Sequence, residues 1–272
     1  MRFHLVQKDA RWNEADGGGV QRMNQGLLMI DSYRSGMAIL MKGVFKATTS
    51  RACEEALNAC GFFQKECSLN GIPAKAGKQV GMAFFKLFLD FPFLAGRIDG
   101  VTVGKTGRRS LAVCWMQTQD HEFAGGQVEL NQKRYRDLRK LNMDYQRGDE
   151  FHPENTDYSA IITHELGHTL DGYLTGLALA GYEKDGRKLT VSKYLKKQTL
   201  KQMKLKTGDV KGELSGYAQR NPAEWFAECF AEYLESQTPR EMCKECMYQL
   251  RILLRREYYQ GIVDLLNGCG KG

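Results

Sequence analysis

The segment from Tyr158 to Leu174 constrains the fold most strongly, because it spaces two histidines for one face of a helix. Its residues 164–168 read His-Glu-Leu-Gly-His and follow a largely apolar stretch. Residues four apart lie on the same helical face, so His164 and His168 can direct two imidazoles to one point, with Glu165 beside them. The segment therefore predicts a buried helix that carries a metal site.

Two histidines and a neighbouring glutamate in this spacing are the arrangement of a zinc site with an adjacent base. A catalytic zinc ion takes three protein ligands and keeps a fourth position for water, so one more ligand is needed. In metzincins that ligand is a histidine six residues after the second histidine, with a glycine at the third position. Leu174 and Asp171 occupy those positions here. The metzincin subclass is excluded, and a carboxylate from a later helix is expected.

Asp171 itself is either a partner of a ligand histidine or a residue of helix packing or capping.

A later helix, predicted over residues 222–236, supplies candidate carboxylates. Glu224, Glu228 and Glu232 recur every four residues and form one acidic stripe. Like charges four apart destabilise a helix slightly, so we expect metal binding or pairing to neutralise at least one of them. The spacing alone does not choose among the three.

The remaining pattern predicts an α+β chain with a small mixed or antiparallel sheet. Residues 1–48 are rich in Gly, Met and polar side chains and indicate a loosely ordered N-terminal lead-in. Residues 49–272 are predicted to form one domain, with an α/β part over 49–157, the active-site helix from 158 and a helical part over 175–272. Strands are predicted over residues 98–103, 111–117 and 127–130, and further helices over 49–59, 75–88, 133–145, 191–204 and 239–259.

Composition and charge limit the class of protein and its partners. The 272 residues are 42% hydrophobic and 26% charged, which is typical of a globular protein. The N-terminus lacks the apolar stretch of a signal peptide, and no long apolar run predicts a membrane span. A cytoplasmic location is expected. The net charge of +7 is spread along most of the chain, so neither nucleic acid nor a membrane is expected as a partner.

The eight cysteines are expected to be free thiols, because no export signal supports a disulfide framework. Cys53, Cys60 and Cys67 recur every seven residues, but Gly61 interrupts the helix that would align them, and ordinary burial is expected. Cys243 and Cys246 form a single CxxC pair with no second pair at zinc-finger spacing, and Cys269 is considered as a nearby thiol. This pair is interpreted as incidental on a helix, with a second metal or redox role as the alternative.

The histidine motif together with Tyr217 and the run Asn221–Glu228 resembles the gluzincin metallopeptidases of the anthrax lethal factor type. In that family the first glutamate of a Glu-aromatic-Phe-Ala-Glu run is the third zinc ligand. A tyrosine seven residues before it faces the substrate carbonyl. The resemblance thus implies Zn²⁺ as cofactor, His164, His168 and Glu224 as metal ligands, and Glu165 and Tyr217 as catalytic residues.

A closer similarity is to the zinc-peptidase-like domains of phage and prophage minor capsid, or head-morphogenesis, proteins. It covers about residues 50–240 and includes Phe91–Leu94, Val128–Asn131 and Phe151–Tyr158. It implies a zincin-like fold, a protein or peptide substrate and phage capsid components as possible partners. It also implies a virion-associated location as the alternative to the cytoplasm of a bacterial host.

These resemblances imply a zinc-dependent metalloendopeptidase encoded by a phage or mobile element. Glu165 would take a proton from water and pass it to the leaving amine, and Tyr217 would donate a hydrogen bond to the oxyanion. The strand over residues 127–130 is expected to be the edge on which an extended peptide docks. The alternatives are a non-catalytic zinc-binding virion protein that retains the fold, and a toxin secreted by another route.

Overall fold

The computed structural model describes residues 19–107, 110–119, 122–147 and 155–268, which form an α+β arrangement. Its helices are α1 (Gly19–Lys46), α2 (Ser50–Ala59), α3 (Ala74–Asp90), α4 (Gln132–Tyr135), α5 (Leu138–Arg147), α6 (Ser159–Gly176), α7 (Val191–Gln202), α8 (Val210–Glu213), α9 (Pro222–Glu235) and α10 (Glu241–Gly268). Its strands are β1 (Gly100–Gly104), β2 (Ala112–Gln119) and β3 (Glu122–Asn131). No helix in these ranges is both long and apolar enough to cross a bilayer.

Helix α1 differs from the loosely ordered lead-in predicted for residues 1–48. Leu40 and Val44 on this helix are fully or almost fully buried and belong to a hydrophobic cluster that extends to Leu253. The glycines that indicated disorder instead permit close packing, since a side chain at Gly43 would overlap that of Ala56 on α2. The hydrophobic core therefore includes the part of α1 around Leu40 and Val44. Residues 1–18 of the predicted lead-in lie outside the described residues.

Local capping explains the bounds of several helices. The predicted start of α2 is confirmed, because Thr49 Oγ1 accepts a hydrogen bond from the Ala52 N–H at 3.1 Å. Gly61, with a φ of 75°, follows its last turn as predicted. The single helix predicted over residues 133–145 is instead two helices, α4 and α5. The second has its own cap, since Asp137 Oδ1 accepts from the Lys140 N–H at 3.0 Å.

The three strands form a mixed sheet in the order β1-β3-β2. Strand β1 runs parallel to β3, and β2 runs antiparallel to it, so Val128 on β3 lies opposite both Val101 and Cys114. The prediction that residues 127–130 form the edge strand is therefore wrong, because both sides of β3 are paired. Alternating hydrophobicity reports which face of a strand is buried, not its place in the sheet. Among the described strands, β2 is the edge next to the histidine helix.

Helix α6 lies between the sheet and α9. Gly167 allows the close approach predicted for it, since a Cβ added there would lie 3.0 Å from the Ala227 Cα on α9. At the N-terminal half of α6, Thr163 Oγ1 donates to Glu235 Oε1 at 2.6 Å, and Lys86 Nζ on α3 donates to Glu235 Oε2 at 2.7 Å. These contacts fix α6 and α9 side by side, so side chains from both helices can reach one site.

Candidate metal centre

The side chains of His164, His168 and Glu224 converge between α6 and α9. His164 Nε2 lies 3.1 Å from Glu224 Oε2 and 3.1 Å from His168 Nε2, and His168 Nε2 lies 3.4 Å from Glu224 Oε2. Ligand atoms at the corners of a tetrahedral zinc site are about 3.3 Å apart, because zinc–ligand bonds are about 2.0–2.1 Å long. The three donor atoms therefore fit three corners of such a site. In the described part of the chain, no other group of three or more His, Cys, Asp or Glu side chains lies close enough to share an ion.

The run Asn221-Pro222-Ala223-Glu224 places the carboxylate in the first turn of α9. Asn221 is the N-cap, and its Oδ1 accepts from the Glu224 N–H at 2.9 Å. Pro222 occupies the first helical turn, where its missing N–H costs no helical hydrogen bond. The capped start of the helix thus fixes the backbone that carries Glu224.

The three glutamates of the acidic stripe have three different environments. Glu224 joins the two histidines. Glu228 is fully buried, and its Oε2 accepts from Ser215 Oγ at 2.6 Å. Glu232 is also fully buried and is paired with the Arg240 guanidinium. Tertiary contacts therefore select Glu224 as the glutamate that meets the two histidines, a choice that the spacing alone left open.

The charges of the cluster are strongly coupled. Burial opposes ionisation of Glu224, but hydrogen bonds from His164 and His168 outweigh it and lower the pKa of this carboxyl well below its usual range. Burial lowers the pKa of His164 to about 4. Burial also acts against protonation of His168, yet its hydrogen bond to Glu224 and the nearby carboxylates raise its pKa. A deprotonated carboxylate beside a neutral His164 is a donor set that suits a divalent metal ion.

Glu165 lies next to the cluster and beside the edge strand β2. Burial raises its pKa to about 7, although the charge of His168 and a hydrogen bond from the Cys114 backbone N–H act in the opposite direction. Cys114 belongs to β2, so the edge strand passes directly beside this carboxyl. No sequence signal marks Cys114 as a residue of the site, because its contribution comes from the backbone.

Tyr217 also lies beside the cluster. Its ring centroid is 6.2 Å from that of His164, and the Arg220 guanidinium lies 4.4 Å over the ring. Burial and the charge of Glu224 raise the pKa of Tyr217 to about 12, with Arg220 acting in the opposite direction. The phenol is therefore a protonated hydrogen-bond donor at neutral pH.

Asp171 connects α6 to α7. Its Oδ1 accepts from the Ser192 N–H at 2.8 Å and from Thr175 Oγ1 at 3.4 Å. Ser192 lies in the first turn of α7, where the backbone N–H groups have no partner within the helix. The Asp171 carboxylate accepts a hydrogen bond from one of these N–H groups. Of the two interpretations left open by the sequence, these contacts favour capping.

A groove of about 870 Å³ is lined by residues that follow His168 on α6 and by residues that precede Glu224. Asp171 and residues 221–223, which precede Glu224, form one part of its wall. Met116, Phe123 and Tyr182 line another part, and Met116 and Tyr182 are largely exposed. The groove therefore places apolar surface near two candidate ligands, because Asp171 lies three residues after His168 and Ala223 directly precedes Glu224.

The CxxC pair has a third thiol that the sequence did not indicate. Cys229 on α9 lies beside Cys243 and Cys246 on α10, and all three are fully buried. These thiols lie in the core between the two helices, as do Cys53, Cys60 and Cys67 in the N-terminal part of the core. Cys269 lies outside the described residues, as do the three histidines other than His164 and His168, which are His4, His121 and His152.

Replacing Gly167 by valine is expected to weaken both the fold and the metal site. The added side chain would press on Ala227 and Phe230 of α9, and overpacking of this kind costs about 1–3 kcal/mol. Because the change separates α6 from α9, zinc affinity is expected to fall together with Tm. The control is Gly212→Val on α8, where an added Cβ meets nothing within 4 Å. Equal zinc affinity of the Gly167 variant and the wild type would contradict the role assigned to this close contact.

Comparison with known proteins identifies no relative: no family model, curated protein or solved structure matches this chain.

Proposed function

We propose that this protein is a zinc-dependent metalloendopeptidase with a zincin-like fold of the gluzincin type. The observation that carries the proposal is the convergence of His164, His168 and Glu224 at tetrahedral spacing, from two helices that Gly167 brings into contact. Glu165 and Tyr217 lie beside the same cluster, and the negative charge of Glu224 raises the pKa of both side chains. A metal-binding triad with an adjacent base and hydrogen-bond donor is suited to hydrolysis of an acyl bond.

His164, His168 and Glu224 would hold the ion, and Zn²⁺ supplies Lewis acidity that activates water near neutral pH. Glu165 takes the proton of the attacking water and delivers it to the leaving amine. Tyr217 donates its phenolic hydrogen bond to the carbonyl oxygen as negative charge develops there.

The edge strand and the groove indicate how a substrate would lie. Because the Cys114 N–H reaches Glu165, an extended peptide that adds to the free side of β2 would pass the catalytic carboxyl. The groove lined by Met116, Phe123 and Tyr182 would then receive apolar substrate side chains. The substrate class is therefore an extended peptide segment or an unfolded region of a protein.

The proposal is tested by incubating the purified protein with a peptide library and identifying the products by mass spectrometry. We expect cleavage that 1,10-phenanthroline abolishes and that added zinc restores, while the non-chelating isomer 1,7-phenanthroline has no effect. Zinc bound at one equivalent without cleavage of any peptide would instead support the non-catalytic zinc-binding alternative. Cleavage that persists after complete metal removal would rule out a metallopeptidase.

A further inference from the structure

The turn that carries Tyr217 is closed by one serine. Ser215 Oγ accepts a hydrogen bond from the Ala218 N–H at 2.9 Å and donates its own proton to Glu228 Oε2 at 2.6 Å. A serine hydroxyl has only one proton to donate, so this geometry orders the chain Ala218 N–H to Ser215 O–H to Glu228. The backbone on both sides of Tyr217 is thereby fastened to α9.

Two further side chains, one on α7 and one directly before α10, hold the same turn. Lys196 Nζ on α7 donates to the Ala218 carbonyl oxygen at 3.3 Å, and Arg240 Nη1 donates to the Leu214 carbonyl oxygen. Lys196, Leu214 and Ala218 are all buried. The backbone next to Tyr217 is thus fixed at both ends, which limits the positions its ring can adopt.

Glu228 stands one helical turn after Glu224 on α9. The same rigid element therefore presents a carboxylate to the metal centre and, one turn later, a carboxyl to the tyrosine turn. Resting on the proposed function, we infer that Ser215 and Glu228 are positioning residues for Tyr217, which set its ring beside the His164–His168–Glu224 cluster. Glu228, a ligand candidate by spacing, thus acts on the reaction through the tyrosine.

A double-mutant cycle with Tyr217→Phe separates positioning from ordinary structural support. Tyr217→Phe is expected to lower kcat about 100-fold, which is the size of effect seen when one oxyanion donor is removed. Ser215→Ala is expected to lower kcat about 10-fold in the wild-type background, with KM and zinc affinity unchanged, and to have no further effect in the Tyr217→Phe background. Equal losses in the two backgrounds would overturn the inference.

Conservative and matched variants make the test specific. Glu228→Gln keeps an oxygen that can accept from Ser215 and is expected to retain kcat, whereas Glu228→Ala is expected to behave like Ser215→Ala. If Ser215→Ala does not fold, Ser215→Cys replaces it, because a thiol fills the space but is a weak donor. Tyr145→Phe removes a buried 2.7 Å hydrogen bond to Thr156 and is expected to lower Tm without changing kcat.

A readout without turnover distinguishes failure of this inference from failure of the proposed function. Protein labelled with 3-fluorotyrosine gives a ¹⁹F resonance for Tyr217, assigned by its absence in Tyr217→Phe. Ser215→Ala and Glu228→Ala are expected to shift this resonance, while Glu228→Gln and Tyr145→Phe leave it in place. An unshifted resonance in both alanine variants would refute the positioning role, even if the protein cleaves no peptide.

Discussion

Replacing Glu165 by glutamine is expected to abolish peptide cleavage while zinc remains bound. Glutamine has nearly the same shape as glutamate but cannot take a proton from water, and loss of a general base typically costs about 10²–10⁴-fold in rate. The three metal-facing side chains are unchanged, so zinc content should stay at the wild-type value. Rates on a peptide identified from the library and metal content by mass spectrometry, measured on the same preparations, check both parts of this result.

The matched control is Glu129→Gln on β3. Glu129 accepts a hydrogen bond from Trp115 Nε1 at 2.8 Å and lies away from the histidines in the described contacts. This variant makes the same chemical change and is expected to cleave at the wild-type rate. Wild-type cleavage by Glu165→Gln would remove the base role from Glu165. Loss of zinc in that variant would show instead that the carboxylate holds the ion.

Replacing Glu224 by glutamine is expected to lower zinc affinity by more than about 100-fold, beyond the loss typical for a group that only orients a ligand. The change removes the negative charge of the carboxylate, whose Oε2 lies 3.1 Å from His164 Nε2 and 3.4 Å from His168 Nε2. Competition with a chromophoric chelator measures the affinity. Cleavage should fall in parallel, because the ion is lost and not only the proton acceptor.

Glu228→Gln provides the comparison within the same helix. Burial raises the pKa of Glu228 to about 8, and a neutral amide therefore resembles the carboxyl that the folded protein favours at neutral pH. Zinc affinity and fold stability are expected to remain close to those of the wild type. If Glu228→Gln lost zinc more severely than Glu224→Gln, the third ligand would have to be moved one turn along α9.

Much of the local structure was predictable because its causes are local. The cap at Thr49, the helix around the two histidines and the alternating strands each depend on residues a few positions apart. Their bounds agree with the structure to within two residues, except that β3 begins at Glu122, five residues before the predicted strand. Helix α1 was not predictable in the same way. Its glycines indicate disorder when read alone. Only the contact of Gly43 with Ala56 on α2 shows that the absence of a side chain makes room for a neighbouring helix.

In the candidate site, too, some features follow from local spacing and others from tertiary packing. The sequence by itself determined that His164 and His168 share one helical face with Glu165 beside them, because residues four apart lie on the same side of any α-helix. Only the tertiary structure decided that Glu224 faces the histidines while Glu228 meets Ser215 and Glu232 meets Arg240. It likewise made β2 the described edge beside Glu165. A periodic pattern reports which residues share a face, whereas the neighbour of that face depends on how distant helices and strands pack.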